Sequence, residues 1–374
     1  MATASDADSA SGRAPDKTRR PIMKDVAERA GVSRTTVSLV LNGRDTRIAE
    51  ATRRRVEQAA RELDFRPSVA AQQLRTSRSR MVGFIGDEIA TGPFAGGLIA
   101  GAQAATRERG QALVVMNTGR EGDLSVDLEA LEDRHADALI FATVMTRPVH
   151  VSGLLTGRSA ILLNCFDDEL DLPAVLPDDR AGGALATRLA AEAGHRRIAL
   201  LGGESGTWPA IARLDGYRDA LAEAQLPFDP VLVRDGNWHA DSGYELAREV
   251  LSLRRPATAL ICGNDRMALG AYDAIKELGL RIPQDVSVIG YDDQEEIVAY
   301  MRPPLTTMRL PYYEMGAAAV AAVLDGGSYG RQMLRCDPVV RGSLGPVPGE
   351  SDGPGKSRSS PTIRGWRPHA RDRR

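Results

Sequence analysis

The sequence predicts a small all-α helix-turn-helix head followed by an α/β body of two doubly wound lobes. The chain has 374 residues, which is too long for one ordinary core and fits a small module joined to a larger body. Helical spacing of apolar residues dominates residues 23–63, whereas short apolar runs alternate with helical segments in two series beyond residue 80. Strands that alternate with helices are typical of parallel sheets covered by helices on both faces.

The head, residues 20–65, is predicted from two short helices joined by a glycine turn. Apolar residues at the i, i+3, i+4 and i+7 spacing indicate a first helix from Met23 to Ala30, after which Gly31 can adopt the positive φ of a tight turn. Ser33 is placed to cap the second helix. With its apolar side inward, that helix would present an outer face to the major groove, made of Arg34, Thr35, Ser38 and Leu39. A third helix over residues 48–63 completes the small core, although a helical hairpin with no nucleic-acid role is the alternative.

Charge along the chain is uneven in a way that favours a nucleic-acid partner. Residues 20–80 hold fourteen Lys and Arg against seven Asp and Glu, so this segment carries +7 and the remainder carries −9. A basic segment beside an acidic body is typical of phosphate binding, although a solvated basic face has the same composition.

The head also resembles a known family. Residues 22–75 are similar to the DNA-binding head of lactose and galactose repressor family regulators, whose motif is matched by Lys24, Asp25, Val26, Ala27, Ala30, Gly31, Val32, Ser33, Thr36, Val37, Ser38 and Asn42. The resemblance implies that Ser33 and Thr36 contact phosphates, that Arg34, Thr35 and Leu39 select bases, and that Asn42 belongs to the same surface. Leu39 departs from relatives with a polar side chain there, because leucine offers bases only an apolar contact.

Residues 66–79 are predicted to be a hinge helix and linker. Pro67 suits a helix start, and a helix this short should order only against a partner. The resemblance implies that two hinges pair in a homodimer, contact DNA through Ala71, and push Leu74 into the minor groove. A generic linker is the alternative.

The body, residues 80–343, contains two βαβ series whose strands end in polar residues. In such sheets ligands lie at the carboxyl ends of the strands, so the candidates are Asn164, Asn264, Asp265 and Asp292. A local turn or capping role is the alternative, most serious for Asp265 and for Asp293.

Residues 81–343 resemble the effector domain of the same family, which is similar in fold to periplasmic sugar-binding proteins. The resemblance implies a ligand cleft and three crossings of the chain between the lobes, near Pro177, Met308 and Pro338. It places five residues at that cleft, namely Phe94, Asn164, Arg213, Asn264 and Asp292. Guanidinium, carboxylate and amide groups suit a polyol, so we expect a small sugar-like effector. Trp208 is a possible wall of the pocket.

Other features exclude several classes of protein. Residues 1–19 and 344–374 are polar and are expected to be disordered tails, and the second lacks the heptads of a coiled coil. No signal peptide or membrane helix is evident, so a cytoplasmic location is expected. The three cysteines suit buried free thiols, and no two histidines lie within five residues of each other, so neither a disulfide nor a local metal pair is expected.

Together these features predict an operator-binding transcriptional regulator, by default a repressor, that acts as a homodimer on a pseudo-palindrome and needs no cofactor or catalysis. A transport-associated sugar-binding protein would explain the body but would need export and has no use for the head. An enzyme on a nucleotide-binding fold is disfavoured because the glycines at Gly202 do not form the G-x-G-x-x-G motif.

Overall fold

The computed structural model describes residues 21–41, 48–65, 79–87, 95–118, 123–169, 172–294, 298–326 and 330–347. The chain forms two units, Met1–Ser79 and Arg80–Arg374, which we treat separately. Among the described residues, no helix is both long enough and apolar enough to cross a membrane. The two expected tails up to residue 20 and from 348 onwards, and the hinge residues Pro67, Ala71 and Leu74, lie outside the described residues.

Three helices build the first unit: α1 (Met23–Ala30), α2 (Arg34–Leu41) and α3 (Glu50–Glu62). Gly31 ends α1 with φ +65°, as the predicted turn requires. The Ser33 hydroxyl accepts a hydrogen bond from the Thr36 amide (3.1 Å), which is the predicted cap of α2. The three helices enclose a core of Val26, Ala27, Ala30, Val37, Val40, Val56, Ala59 and Ala60.

The second unit alternates strands and helices along the chain. Its strands are β1 (Met81–Asp87), β2 (Ala112–Thr118), β3 (Ala138–Pro148), β4 (Ala160–Phe166), β5 (Ala174–Pro177), β6 (Ile198–Gly202), β7 (Val233–Asp235), β8 (Ala259–Cys262), β9 (Ser287–Asp292), β10 (Thr306–Arg309), β11 (Arg331–Leu334) and β12 (Asp337–Val339). Its helices are α4 (Ala95–Glu108), α5 (Leu124–Glu132), α6 (Ser152–Leu155), α7 (Asp179–Glu192), α8 (Trp208–Glu223), α9 (Ala240–Leu251), α10 (Asp265–Glu277) and α11 (Tyr312–Asp325).

The strands form two separate sheets, so the body has the two lobes that the sequence predicts. The first lobe has strand order β11-β5-β4-β3-β1-β2, with α4 and α11 packed on one face and α5 on the other. The second lobe has strand order β12-β10-β9-β8-β6-β7, with α9 and α10 on one face and α7 and α8 on the other. Apart from β12, which is antiparallel to β10, neighbouring strands are parallel.

The chain crosses between the lobes at three places. It leaves the first sheet after Pro177, returns between Arg309 and Tyr312, and enters the second sheet again between Leu334 and Asp337. These positions agree with the crossings predicted near Pro177, Met308 and Pro338. Three connections of this kind can serve as a hinge between the lobes.

The packed part of the second lobe extends past residue 343. The Gly345 carbonyl lies 3.0 Å from Nε2 of the buried His195, and the Gly345 amide donates to the Ser287 hydroxyl (3.0 Å). Leu344 and Gly345, which were expected to belong to the tail, are therefore part of the body, because Leu344 packs against the core and the Gly345 backbone bonds to polar groups at its edge.

The three cysteines are buried and free, as predicted. Burial raises the pKa of the Cys165 and Cys336 thiols to about 12, so both are un-ionised at neutral pH.

Candidate functional site

A cavity of about 740 Å³ lies between the two lobes of the body, beside the three crossings. Its volume is in the usual range of small-molecule sites. The cavity is lined by Asp87, Val144, Met145, Thr146, Arg147, Asn164, Pro177, Asp179, Glu204, Pro209, Arg213, Asn237, Trp238, His239, Asn264, Arg266, Asp292, Leu310 and Tyr312. The structure thus brings together four of the five predicted effector residues. Phe94 lies outside the described residues.

Arg213 is held rigidly in the wall of this cavity. Its Nε and Nη2 atoms both lie 2.8 Å from Oδ1 of Asp179, and its Nη1 atom donates to the Gly263 carbonyl (2.6 Å). The guanidinium carbon also lies 3.6 Å from the centre of the Tyr291 ring. Burial alone would lower the pKa of Arg213, but Asp179 raises it overall, so the side chain stays charged.

Arg213 meets Asp179 because helices α7 and α8 cross at unusually close range. A Cβ atom on Gly183 would lie 2.5 Å from the Arg213 carbonyl oxygen, and one on Gly216 would lie 2.0 Å from the Arg180 carbonyl oxygen. Only glycine permits these backbones to approach so closely. The reciprocal glycines therefore set the position of the buried ion pair.

Asp292 ends β9 at the cavity with an uncommon backbone conformation. Asn164, Trp238 and Asp292 all line the cavity and have positive φ, of 58°, 67° and 112°. Strained residues of this kind concentrate at ligand sites. Burial raises the pKa of Asp292 to about 6, with Asp179 adding to the shift and with Arg213 and Gln294 opposing it. The Asp292 carboxyl group is therefore an acceptor whose pKa lies above that of an ordinary aspartate.

The two predicted asparagines form hydrogen bonds with other protein groups at the cavity wall. Asn264 caps α10, since its Oδ1 accepts from the Met267 amide (2.9 Å) and its Nδ2 donates to the Trp238 carbonyl (3.0 Å). Asn164 accepts from the Thr146 hydroxyl (2.6 Å) and donates to the Thr143 carbonyl (2.9 Å). Each side chain keeps one amide hydrogen beyond these bonds, so either could donate once to a ligand.

Two further carboxylates near strand ends form hydrogen bonds within the protein instead. Asp265 accepts from the Thr307 hydroxyl (2.6 Å) and the Gln294 amide (2.8 Å), and Asp293 accepts from Arg341 (2.6 Å). The cavity lining given above contains neither of them. Asp265 therefore has the internal role that was its alternative interpretation, since its carboxylate connects the start of α10 to β10 and to the segment after β9.

Several cavity residues were missed from the sequence. Asp179 follows the first crossing, and its role depends on Arg213, 34 positions away. Asp87 and Arg147 form an ion pair at the ends of β1 and β3. Asp87 ends β1 and Trp238 follows β7. The strand-end argument would therefore have found both residues if it had been applied to β1 and β7.

Trp208 was suggested as a wall of the pocket, but the lining excludes it. Instead its ring packs edge-on against Phe166 of the first lobe, with 4.6 Å between ring centres. It lies at the start of α8 in the second lobe, so this contact joins the lobes beside the cavity.

One cluster outside the cavity has metal-ligand chemistry. His150, Asp167 and Glu169 bring one ligand atom each within 4.8 Å of one another. The Asp167 oxygens already accept from the Val151 amide (3.1 Å) and the Glu169 amide (2.9 Å), which accounts for the arrangement as a local turn.

The first unit presents a separate polar surface on α2. Val37 and Val40 face its core, whereas Arg34 and Thr35 are exposed and Thr36, Ser38 and Leu39 are half-buried. Ser33 and Thr36 share a hydrogen bond between their hydroxyl groups (2.9 Å) at the start of the helix. Asn42 lies outside the described residues. The outward face predicted for α2 is thus present.

Comparison with known proteins identifies the chain. Residues 22–68 match the family model "Bacterial regulatory proteins, lacI family", and residues 187–344 match "Periplasmic binding protein-like domain". The ribose operon repressor of Escherichia coli (strain K12) is 35% identical over 331 residues, which are 86% of this chain and 99% of that protein. The chain belongs to the lacI family of bacterial regulatory proteins. The HTH-type transcriptional repressor PurR of Vibrio atlanticus (strain LGP32) is 33% identical over 310 residues, covering 81% of this chain and 91% of that one.

Solved structures agree with this assignment. The lac repressor dimer bound to operator and the anti-inducer ONPF is 30% identical, with a TM-score of 0.71, over 87% of this chain and 99% of that chain. The predicted fold class is confirmed. This lacI-family member is a DNA-binding transcription regulator with a small-molecule effector domain, and its family consists of regulators and not enzymes.

Proposed function

We propose that the cavity between the lobes binds a small sugar-like effector through Arg213 and Asp292, with Asn264 and Asn164 as additional donors. The observation that carries this proposal is the fixed guanidinium of Arg213 beside the Asp292 carboxylate in a cavity bounded by both lobes. A fixed donor and an acceptor that line the same cavity match a hydroxyl group, which can accept and donate at once. Phe94 remains a predicted contact.

The relatives support a carbohydrate in this position. One of them is named for ribose, and a transcriptional regulator solved as a cellobiose complex is 30% identical, with a TM-score of 0.60, over 87% of this chain and 100% of that chain. Trp238 and Tyr312 add aromatic surface that would pack on the C–H face of a sugar ring.

We propose that α2 recognises the operator. Arg34, Thr35 and Leu39 would contact base edges, with Ser38 and Asn42 on the same surface, while Ser33 and Thr36 would contact phosphates. Ala71 and Leu74 would enter the minor groove from the hinge. The exposure of Arg34 and Thr35 supports the first part of this arrangement.

The active form would be a homodimer on a pseudo-palindromic operator, in the cytoplasm where that DNA lies. The lac repressor, to which this chain is similar, was solved as a dimer on its operator. Binding of the effector in the cavity would close the lobes about the three crossings and change the spacing of the paired hinges. DNA affinity then changes by the difference in effector affinity between the two states. We propose repression as the outcome, since a dimer on a promoter blocks polymerase.

The test is a fluorescence anisotropy titration of the protein against DNA upstream of its gene, at one fixed salt concentration, with and without each of a panel of sugars. We expect sequence-specific binding that one sugar shifts. Specific binding that no sugar shifts would refute the effector class, and failure to bind any specific DNA would refute the assigned operator surface.

A further inference from the structure

The charges on the first-lobe wall of the cavity are paired with each other. Arg147 and Asp87 form an ion pair, and their side chains are 45% and 26% exposed. Both belong to the same sheet, at the ends of β3 and β1. The positive charge that this wall offers to a ligand is therefore already balanced by an adjacent carboxylate.

The second-lobe wall also contains an internal ion pair. The charge of Arg213 is compensated by Asp179, whose side chain is 2% exposed, so the pair is fixed in place. The charged side chains of the lining are four carboxylates (Asp87, Asp179, Glu204, Asp292) and three guanidinium groups (Arg147, Arg213, Arg266). Carboxylates therefore outnumber guanidinium groups in the lining by one.

Buried carboxylates in the cavity wall and directly behind it already repel one another. Burial raises the pKa of Asp265, and the charge of Asp292 raises it further. Burial also raises the pKa of Asp179 despite Arg213, and Asp179 in turn raises the pKa of Asp292. A further anion placed here would meet the same unfavourable field.

The backbone amide groups at the start of α10 do not offset the repulsion of an anion by these carboxylates. The Met267 amide already donates to the Asn264 side chain, and the buried Asp265 lies in the first turn of the helix. A phosphate carries a charge of about −1.5 to −2 at neutral pH and needs cations or free amides that are not already satisfied.

From this pairing we infer that the effector is an uncharged polyhydroxy compound and that the cavity discriminates against sugar phosphates and sugar acids. The inference rests on the proposed function, since it specifies the ligand of the same cavity. Hydroxyl groups can bond to the cavity's ion pairs without adding charge, whereas an anion would have to separate Arg147 from Asp87 or overcome Asp292 and Glu204.

The test compares neutral sugars with their anionic counterparts on the full-length protein by isothermal titration calorimetry at pH 7.5. The panel pairs ribose with ribose 5-phosphate, and glucose with glucose 6-phosphate and gluconate, together with further neutral pentoses and hexoses, each beside its phosphate. We expect a neutral member to bind and its phosphate or acid to bind at least about tenfold more weakly. An anionic member that binds more tightly than its neutral parent overturns the inference but leaves the proposed function intact. If no member binds, the proposed function fails, and the inference fails with it.

A variant separates the charge argument from simple size exclusion. Asp87→Asn releases Arg147 from its carboxylate, so we expect the discrimination against the phosphate to shrink severalfold. Asp215→Asn makes the same change of charge at an exposed pair with Arg218, outside the cavity lining, and should leave the discrimination unchanged. If discrimination in Asp87→Asn equals that of the wild type, pairing of the wall charges is not what excludes anions, and the inference drawn from that pairing is wrong.

Discussion

Replacing Arg213 by glutamine should strongly destabilise the body, because it leaves the Asp179 carboxylate buried without its counter-charge. The two side chains are 9% and 2% exposed, and the pair has two close nitrogen–oxygen contacts of 2.8 Å. Removing one partner of such a pair costs about 3–5 kcal/mol of unfolding free energy. The lost bond to the Gly263 carbonyl and the lost stacking on Tyr291 place the expected cost toward the upper end of that range.

Urea unfolding of the full chain, followed by circular dichroism, measures this cost. The control is Arg180→Gln, which breaks an Arg–Asp pair between the same two helices whose side chains are 61% and 43% exposed, and which should cost less than about 1 kcal/mol. Adding Asp179→Asn to Arg213→Gln should recover part of the loss, because no charge is then left buried.

The pH dependence of that cost has a definite sign. Burial raises the pKa of Asp179 in the folded protein, and removal of Arg213 takes away the main opposing influence. The folded variant therefore binds a proton more readily than the unfolded chain does, and its stability rises as pH falls. Arg213→Gln should be less destabilised at pH 5.5 than at pH 7.5. A cost below about 1 kcal/mol at pH 7.5, or no recovery in the double variant, would refute the assigned role of the pair.

Three further predictions concern the helix crossing, the Asp292 carboxyl group and the exposed face of α2. Gly216→Ala should lower the free energy of unfolding by about 1–3 kcal/mol, because its Cβ would overlap the neighbouring helix. Gly96→Ala is the control: Gly96 is exposed, no described residue lies within 4 Å of the new Cβ, and the change should be neutral or stabilising. Equal costs in urea unfolding would contradict the close crossing. Effector affinity measured by calorimetry should weaken as pH falls through about 6, where Asp292 takes up a proton, and Asp292→Asn should bind more weakly without that pH dependence. Arg34→Ala should weaken specific operator binding by about 1–3 kcal/mol and leave thermal stability unchanged, so an unaltered operator affinity would exclude it as a base contact.

Much of the architecture could be predicted from sequence because periodicity reports burial directly. The helices of the head, the two lobes and the three crossings all follow from apolar spacing and from the resemblance to the family. The strand-end argument found Asp292 and the resemblance to the family found Arg213, and both residues line the cavity.

The remaining cavity residues depend on contacts that a single sequence does not encode locally. Asp179 forms its ion pair with Arg213, 34 positions later in the chain. The two side chains meet only because Gly183 and Gly216 let their helices cross closely. The position of a residue just after a strand does not show whether its side chain contacts a ligand or bonds within the protein. The first residue of the following helix lies just after the strand as well. Asp265 illustrates this limit, since its carboxylate bonds within the core.

The central claim is that a ligand in this cavity controls operator binding, and one linked measurement tests it most directly. Operator affinity of the wild type and of Asp292→Asn would be determined by fluorescence anisotropy at fixed salt, with increasing concentrations of the sugar that binds the wild type. We expect equal affinities without the sugar and, for the variant, a sugar response displaced to higher concentration by the loss of affinity that calorimetry reports. An identical sugar response in both proteins would contradict the claim, because the regulating ligand would then bind elsewhere.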